Sequence, residues 1–418
     1  MGAWCGVDLF WQRGARLRIL LLHNRYQVPG GEDAAVNREY EMLRAAGYTV
    51  DLLEATNDAI TGAAEMIRTA LLVPYSRGSR RTVAERIAGF RPDVVHVHNF
   101  FPSLTPSVYD ACRAAGVPVV QTLHNYRLIC ANALLFRDGH VCTECVGRTV
   151  LTPAIRHGCY RESRVGSAAV AAMIGVHRVR RTWAERVDRF IALTGFARAL
   201  FSTYAQIPAE KISVKPNSAP DPGLGDGAGG YALYVGRFSV EKGIDTALAA
   251  ARLVEGLGMP LKVAGSGPLQ ADVEAAHRDG RVEFVGFQDA AGVRRLMLGA
   301  RVLVIPSHCY EGLPLVVPEA FGTGLPIVAS KLGSLGTLIE DGGNGLLVEA
   351  GNPVALAHAV RHIAAEPEFE ARLRVRARQT YEELYRPEAN LRLLGQIYEQ
   401  AAGGKQAAAD GKAAAQAR

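Results

Sequence analysis

Residues Ser307–Ser330 read SHCYEGLPLVVPEAFGTGLPIVAS. The stretch follows the apolar run Val302–Ile305, crosses a Gly/Pro loop, opens a helix near Pro318 and enters a second apolar run at Pro326–Ala329. A short β-branched run, a helix and another such run form the pattern of a parallel βαβ unit. Pro318 suits a first helical turn, where its missing N–H costs nothing. Glu311 falls in the loop and Glu319 in that first turn, with seven residues between them. The helix macrodipole accounts for one Glu at a helix start. It does not account for two, framed by Gly312-Leu313-Pro314 at the carboxyl end of a strand, where open α/β sheets place their ligands.

Working outward, the same alternation fills the second half of the chain. Tyr231–Val235, Leu261–Ala264, Val282–Val285 and Gly345–Val348 read as strands, with helices near residues 243–257 and 268–278. Within YALYVGRFSVEKG (231–243), Arg237 closes a strand and Lys242 opens a helix, so the two cations can converge on a diphosphate. Gly265-Ser266-Gly267-Pro268 lacks the third glycine of a dinucleotide fingerprint and marks a tight turn into a helix. A vicinal diol, such as a ribose presents, suits the carboxylate of Glu319.

The first half repeats the scheme with strands at Leu17–His23, Tyr48–Leu53, Val94–His98 and Val117–Leu123. Two doubly wound parallel-sheet domains follow, facing across a cleft, with residues 217–230 (NSAPDPGLGDGAGG) as a linker or flexible loop between them. The expected division is a domain at 17–210 with a Cys-rich insert at 130–159, a second domain at 211–384, and a helix at 385–402 packing back on the first domain. Residues 354–401 read as helical throughout, and residues 403–418 as a low-complexity, disordered tail. Pro29-Gly30-Gly31-Glu32-Asp33 follows the first strand, where bare backbone N–H groups can approach a phosphate or sugar. His96, His98 and His124 end strands and so line the cleft, although a histidine in an apolar strand is commonly structural.

The chain has 418 residues, 49% apolar and 21% charged, which suits two soluble domains and excludes collagenous, disordered or disulfide-stapled classes. The longest uncharged apolar stretch, Val165–Val176, is too short to span a membrane. Residues 1–16 lack the features of a secretory signal and read as a loose extension, so a reducing, cytoplasmic setting is expected. The net charge of +6 is concentrated: Arg148–Arg189 holds nine Arg against three acidic residues. Such a face fits an anionic membrane or an acidic acceptor as well as plain solvation. Nucleic acid is not expected, because stacking aromatics are not interleaved with the basic run. Cys130, Cys142, Cys145 and Cys159 are spaced C-x11-C-x2-C-x13-C, open to a structural zinc site, buried thiols or disulfides; zinc is the reading adopted.

Taken together, EGLPLVVPEAFGTGLPIVAS, GRFSVEKG, AGSGPL, VEFVGF and HNRYQVPGGED resemble retaining glycosyltransferases of family 4, which have the GT-B fold. The resemblance covers residues 17–401. It implies that Glu311 faces the donor sugar, Glu319 holds the ribose, Arg237 and Lys242 meet the diphosphate, and His124 lies near the anomeric carbon. It also implies donor contacts from Gly31, Gly265, Gly286, Gly312, Leu313 and Pro314, with Val285-Gly286-Phe287 at the base. Thr323 within Gly322-Thr323-Gly324, and Ser218 after Pro216-Asn217, depart from the family pattern without removing a charge. The implied activity is retaining transfer of a sugar from a nucleotide-sugar to a glycan or lipid-linked glycan in surface-polysaccharide synthesis, at the inner face of the membrane. No catalytic metal is expected, since the chain has no Asp-x-Asp. The alternatives are a sugar-nucleotide epimerase of the same fold and a non-catalytic sugar- or lipid-binding scaffold.

Overall fold

A computed structural model describes residues 17–27, 30–58, 60–253 and 258–416, with backbone alone from residue 404. The loose extension expected at 1–16, Pro29 and the end of the helix expected at 243–257 lie outside the described residues.

The first sheet contains β1 (Arg18–Asn24), β2 (Thr49–Ala55), β3 (Val94–Val97) and β4 (Val119–Leu123). After the small antiparallel hairpin β5 (Phe136–Arg137) and β6 (His140–Val141), it is completed by β7 (Arg189–Ala192) and β8 (Ile212–Val214). Its order is β2-β1-β3-β4-β7-β8, and every pairing is parallel. The second sheet contains β9 (Tyr231–Arg237), β10 (Leu261–Ser266), β11 (Glu283–Phe284), β12 (Ala300–Ile305), β13 (Ile327–Ser330) and β14 (Gly345–Val348). Its order, β11-β10-β9-β12-β13-β14, is also wholly parallel. Strands buried on both faces read as continuous apolar runs, as in RILLLHN and VVHV, because helices cover each side. This is the GT-B architecture of two doubly wound sheets. In each, the strand order reverses at one point, between β1 and β3 and between β9 and β12, which marks where a ligand cleft opens.

The chain crosses between the domains twice. Residues 217–230, read above as a linker or flexible loop, are pinned along the helix Pro367–Leu384. Ala219 N–H donates to Tyr385 O (3.1 Å), Arg378 grips both oxygens of Asp221 (2.8 and 2.7 Å) and Arg374 donates to Gly225 O (2.6 Å). The stretch expected to be helical throughout breaks at Glu366 and Tyr385-Arg386 into Pro353–Ala365, Pro367–Leu384 and Pro387–Gln416. Each break precedes a proline, whose ring disfavours helical backbone in the residue before it. Leu391, Leu394, Ile397 and Tyr398 of the last helix pack into the first domain against Ile19, Leu21, Val94, Val120 and Ile191. Burying each of these large apolar side chains contributes roughly 1.5–3 kcal/mol. This helix runs on to Gln416 through most of the expected disordered tail, in keeping with the helix propensity of its Ala, Gln and Lys.

Candidate functional site

The carboxyl ends of β9 and β12 build one half of the site. After Arg237 the chain makes a short turn, Val240–Lys242, closed by Gly243 at φ +67°. A Cβ on Gly243 would lie 1.8 Å from Pro306 O, so only glycine lets the turn stack on the end of β12. His308 N–H donates to Glu241 O (3.0 Å) and locks the two loops together. The result is a close pair: Lys242 Nζ lies 2.8 Å from both carboxylate oxygens of Glu311, and Ser307 Oγ donates to Oε1 at 2.7 Å. Glu311 is only 7% exposed. Burial alone would lower the Lys242 pKa, but the Glu311 carboxylate outweighs it and holds the ammonium above the usual lysine range.

Arg237 ends β9 beside this pair, its side chain exposed and, among the described residues, without an ion pair. Glu319 sits in the first turn of Val316–Gly322 and is engaged by Arg38, which reaches across from the helix Gly31–Ala45 of the first domain. Gly265 N–H donates to Gly286 O (3.0 Å), tying the ends of β10 and β11, and Phe287 projects into solvent.

The first domain supplies the other half from the ends of β1, β3 and β4. His124 follows β4, and a Cβ on Gly312 would lie 2.8 Å from His124 O, so the two domains touch at this glycine. Tyr126 OH donates to Glu311 O (2.9 Å) across the same seam. Next to His124, Asn125 donates to Glu32 Oε2 at 3.0 Å, and Tyr26 OH does the same at 3.0 Å. Burial, above all, pushes the Glu32 carboxyl up to about 7, against the pull of His23. Asp33, by contrast, accepts from Gly30 N–H (2.8 Å) and meets His23 Nε2 (2.8 Å), which caps its helix and keeps it ionised.

Two family models match the chain, one on each side of the linker: a glycosyl transferase 4-like domain over residues 30–218 and glycosyl transferases group 1 over residues 229–366. The chain belongs to the group 1 glycosyltransferases. It is 30% identical over 219 residues to an alpha-D-kanosaminyltransferase of Streptomyces kanamyceticus, covering 46% of this chain and 56% of that one. It thus spans about half the length of that relative. A phosphatidyl-myo-inositol mannosyltransferase of Mycobacterium leprae is 26% identical over 359 residues, covering 80% of this chain and 84% of that one. Anabaena HepE, solved with UDP and glucose, shares the fold at TM-score 0.62 and 16% identity, over 91% of this chain and 98% of that one.

Against this group 1 framework, His96, expected to line the cleft, sits elsewhere, while Leu313 lies in a core and Gly31 in open space. Leu313 is buried in the second domain's core with Val317, Phe321 and Leu335, so its side chain serves packing and not a ligand. Gly31 opens its helix in open space, with nothing within 4 Å of an added Cβ. His96 does not line the cleft; it is fully buried between Thr122 Oγ1 and Tyr398 OH, 2.8 Å from each. Ser307, Tyr126, Arg38, Glu32, Glu39 and Lys215 escaped the sequence reading. Two had a local signal: Ser307 lies four residues before Glu311 in the same loop, and Glu32 lies in the quoted loop after the first strand.

The four-cysteine zinc set is not assembled. Among the described residues, the group with three ligand atoms mutually within 4.8 Å is Glu39, His96 and His98, not the cysteines. Cys130 Sγ donates to Asn132 Oδ1 (2.9 Å), and burial pushes the Cys145 thiol up to about 11. The Arg137 guanidinium, close to Cys142 and Cys159, is hydrogen-bonded to Asp138 and Glu144. The four are free thiols, Cys145 buried and Cys130, Cys142 and Cys159 half-buried. The basic stretch is also partly spent inside the fold. Arg178 donates to the carbonyls of Arg148 and Tyr204, Arg186 pairs with Asp110, and Arg189 donates to Glu210 O. Arg148, Arg156, Arg161, Arg164, Arg180 and Arg181 remain exposed.

Proposed function

We propose that the chain transfers a sugar from a nucleotide-sugar to a glycan acceptor, with retention at the anomeric carbon. The observation that carries this reading is the Lys242–Glu311 pair at the β9/β12 switch point, facing His124 across the domain seam. Arg237 and Lys242 stabilise the negative charge that develops on the leaving diphosphate. Glu319 accepts from the ribose hydroxyls, and Gly265, Gly286 and Gly312 let the donor approach backbone. Glu311 and His124 flank the sugar. In a front-face displacement the acceptor oxygen bonds to the anomeric carbon as the bond to the diphosphate oxygen breaks. That oxygen takes the acceptor's proton, so no separate base is required. Because Arg38 engages Glu319, ribose binding there displaces Arg38, which couples nucleotide entry to the domain seam. HepE, solved with UDP and glucose, supports a nucleotide-sugar donor.

The acceptor, on this reading, is lipid-linked and presented at the inner face of an anionic membrane. The helix Gly62–Leu72 buries none of its residues and packs beside Arg164–Val179. Met66, Ile67, Leu71, Val165 and Val179 are exposed there, Leu71 to 76%, next to Arg161, Arg164, Arg180 and Arg181. Apolar side chains ringed by arginines suit a lipid surface, each basic group contributing about 1 kcal/mol near anionic headgroups. Among the described residues no helix is long and apolar enough to cross a membrane. The protein is expected to co-sediment with phosphatidylglycerol vesicles and to be released by salt; binding that is absent or insensitive to salt contradicts the surface.

Turnover of a panel of nucleotide-sugars tests the transfer itself. Nucleoside diphosphate release is expected to rise when an acceptor glycan is added, with EDTA present. Release without any acceptor points instead to epimerase-type chemistry, and no release with any donor to a scaffold.

A further inference from the structure

Behind His124 lies a set of buried polar groups to which donor binding assigns no task. His98 Nδ1 is 3.0 Å from His124 Nε2, and the two rings stack with centroids 5.3 Å apart. On its other side, His98 Nε2 lies 3.3 Å from Glu39 Oε1, a charge contact without hydrogen-bond geometry. The same carboxylate meets His96 Nδ1 (3.1 Å) and, through Oε2, Lys215 Nζ (3.1 Å). Lys215, at the start of the inter-domain linker, is held in turn by Asn390 Oδ1 at 2.8 Å.

Glu39, His96 and His98 have the spacing of a cation site. Two features count against a cation. The Lys215 ammonium already neutralises the carboxylate, and both nitrogens of His96 are occupied by Tyr398 and Thr122. The set is better described as a charge-balanced support for His124.

Its protons can be placed. Two ring nitrogens 3.0 Å apart need one N–H and one lone pair between them. The Glu39 carboxylate only accepts, so its charge favours N–H at His98 Nε2. His98 Nδ1 then carries the lone pair, His124 Nε2–H donates to it, and His124 Nδ1 is left as an acceptor. Both rings stay neutral. Burial, then His96, pushes His98 down to about 3, and burial with His98 pushes His124 far below the usual histidine value. The groups acting on His124 are His98, Glu39, His23 and His96.

We propose that His98 and Glu39 are positioning residues that hold His124 as the Nε2–H tautomer, leaving Nδ1 to accept from a hydroxyl of the bound sugar. The part played by the sugar rests on the transferase reading above; the tautomer does not.

The test uses the full chain labelled with ¹⁵N-histidine, its His124 signals identified by their loss in His124→Phe. Long-range ¹H–¹⁵N correlations are expected to show neutral, Nε2-protonated His124 between about pH 6.5 and 8.5. His98→Leu removes the acceptor and should give mixed tautomers, with kcat down about 10²-fold and the affinities for UDP, GDP and ADP unchanged. His98→Asn, whose amide oxygen can stand near the lost Nδ1, should keep the tautomer and most of the turnover. It also serves as the readout if His98→Leu does not fold. An Nδ1–H or titrating His124 in the wild type, or an unchanged His124 spectrum in His98→Leu, overturns the proposal. The predicted tautomers with kcat unaffected by His98→Leu would uphold the support and remove His124 from the transfer mechanism.

Discussion

Lys242→Ala is expected to cut turnover by about 10²–10³-fold, the usual effect of deleting one preorganised charge-stabilising donor, about 3–4 kcal/mol. The structure gives a reason to expect the upper end. Lys242 is not a loose surface cation: Gly243 and the Glu241–His308 bond hold its turn against β12, and both oxygens of Glu311 grip its Nζ. The ammonium is therefore aimed before the donor arrives, and little reorganisation remains for the transition state. Its removal also leaves Glu311 buried without a counter-charge, so the variant should unfold at lower temperature than wild type. Glu311→Gln in the same background should restore stability and leave turnover low, which separates the structural from the catalytic loss. Steady-state kinetics on purified variants decide the matter, and Lys242→Ala turnover near wild type contradicts the assignment.

Lys215→Met should cost about 3–5 kcal/mol of stability, the range found when one partner of a buried ion pair is removed. Lys215 and Glu39 are both almost fully buried, and Lys215 is the main favourable charge acting on that carboxylate. Burial opposes ionisation of Glu39, yet Lys215 above all, with His96 beside it, holds its pKa well below the ordinary value of 4.5. A depressed carboxyl contributes stability that is present above its unfolded pKa and lost as pH falls through the folded one. Wild-type stability should thus include an acid-sensitive component below about pH 4.5. In Lys215→Met burial acts on Glu39 without the ammonium to oppose it, so its pKa rises and the acid-sensitive component shrinks; a pKa lifted past 4.5 reverses the sign, and the variant then gains stability as pH falls. Urea unfolding across pH measures both effects. A pH profile and midpoint unchanged from wild type would show that Glu39 is not charged in the folded protein.

How much of this could be read in the chain depends on how local each feature is. The two sheets follow from β-branched runs such as VVHV and VLVI separated by helical stretches, and Glu311 and Lys242 each lie in a Gly-containing loop that follows a strand. Those signals need only a dozen neighbouring residues. The support beneath His124 needs Glu39, His96, His98, Lys215 and Asn390, which come together only after the sheet, the linker and the last helix are in place. No local pattern distinguishes Glu39 from any other helical glutamate.

The other differences have related reasons. Leu313 shares a loop with Glu311, but its apolar side chain gains more from the core than from a ligand. The cysteine spacing allows a tetrahedral set but does not require one, and the fold brings the four thiols near one another without closing them to mutual ligand distance. Residues 217–230 have a flexible composition, yet Arg374 and Arg378, some 150 residues away, fasten them to a helix. Net charge summed along Arg148–Arg189 counts arginines that the fold consumes internally, so the exposed basic face is smaller than the sequence suggests.

The anomeric configuration of the product tests the central claim most directly. The wild-type protein is incubated with an accepted nucleotide-sugar and acceptor in EDTA, and the one-bond ¹³C–¹H coupling at the new anomeric carbon is read by NMR. Retention of the donor's configuration, with nucleoside diphosphate released in equal amount and both lost in Lys242→Ala, is the predicted result. Inversion, or transfer that persists in Lys242→Ala, would contradict it.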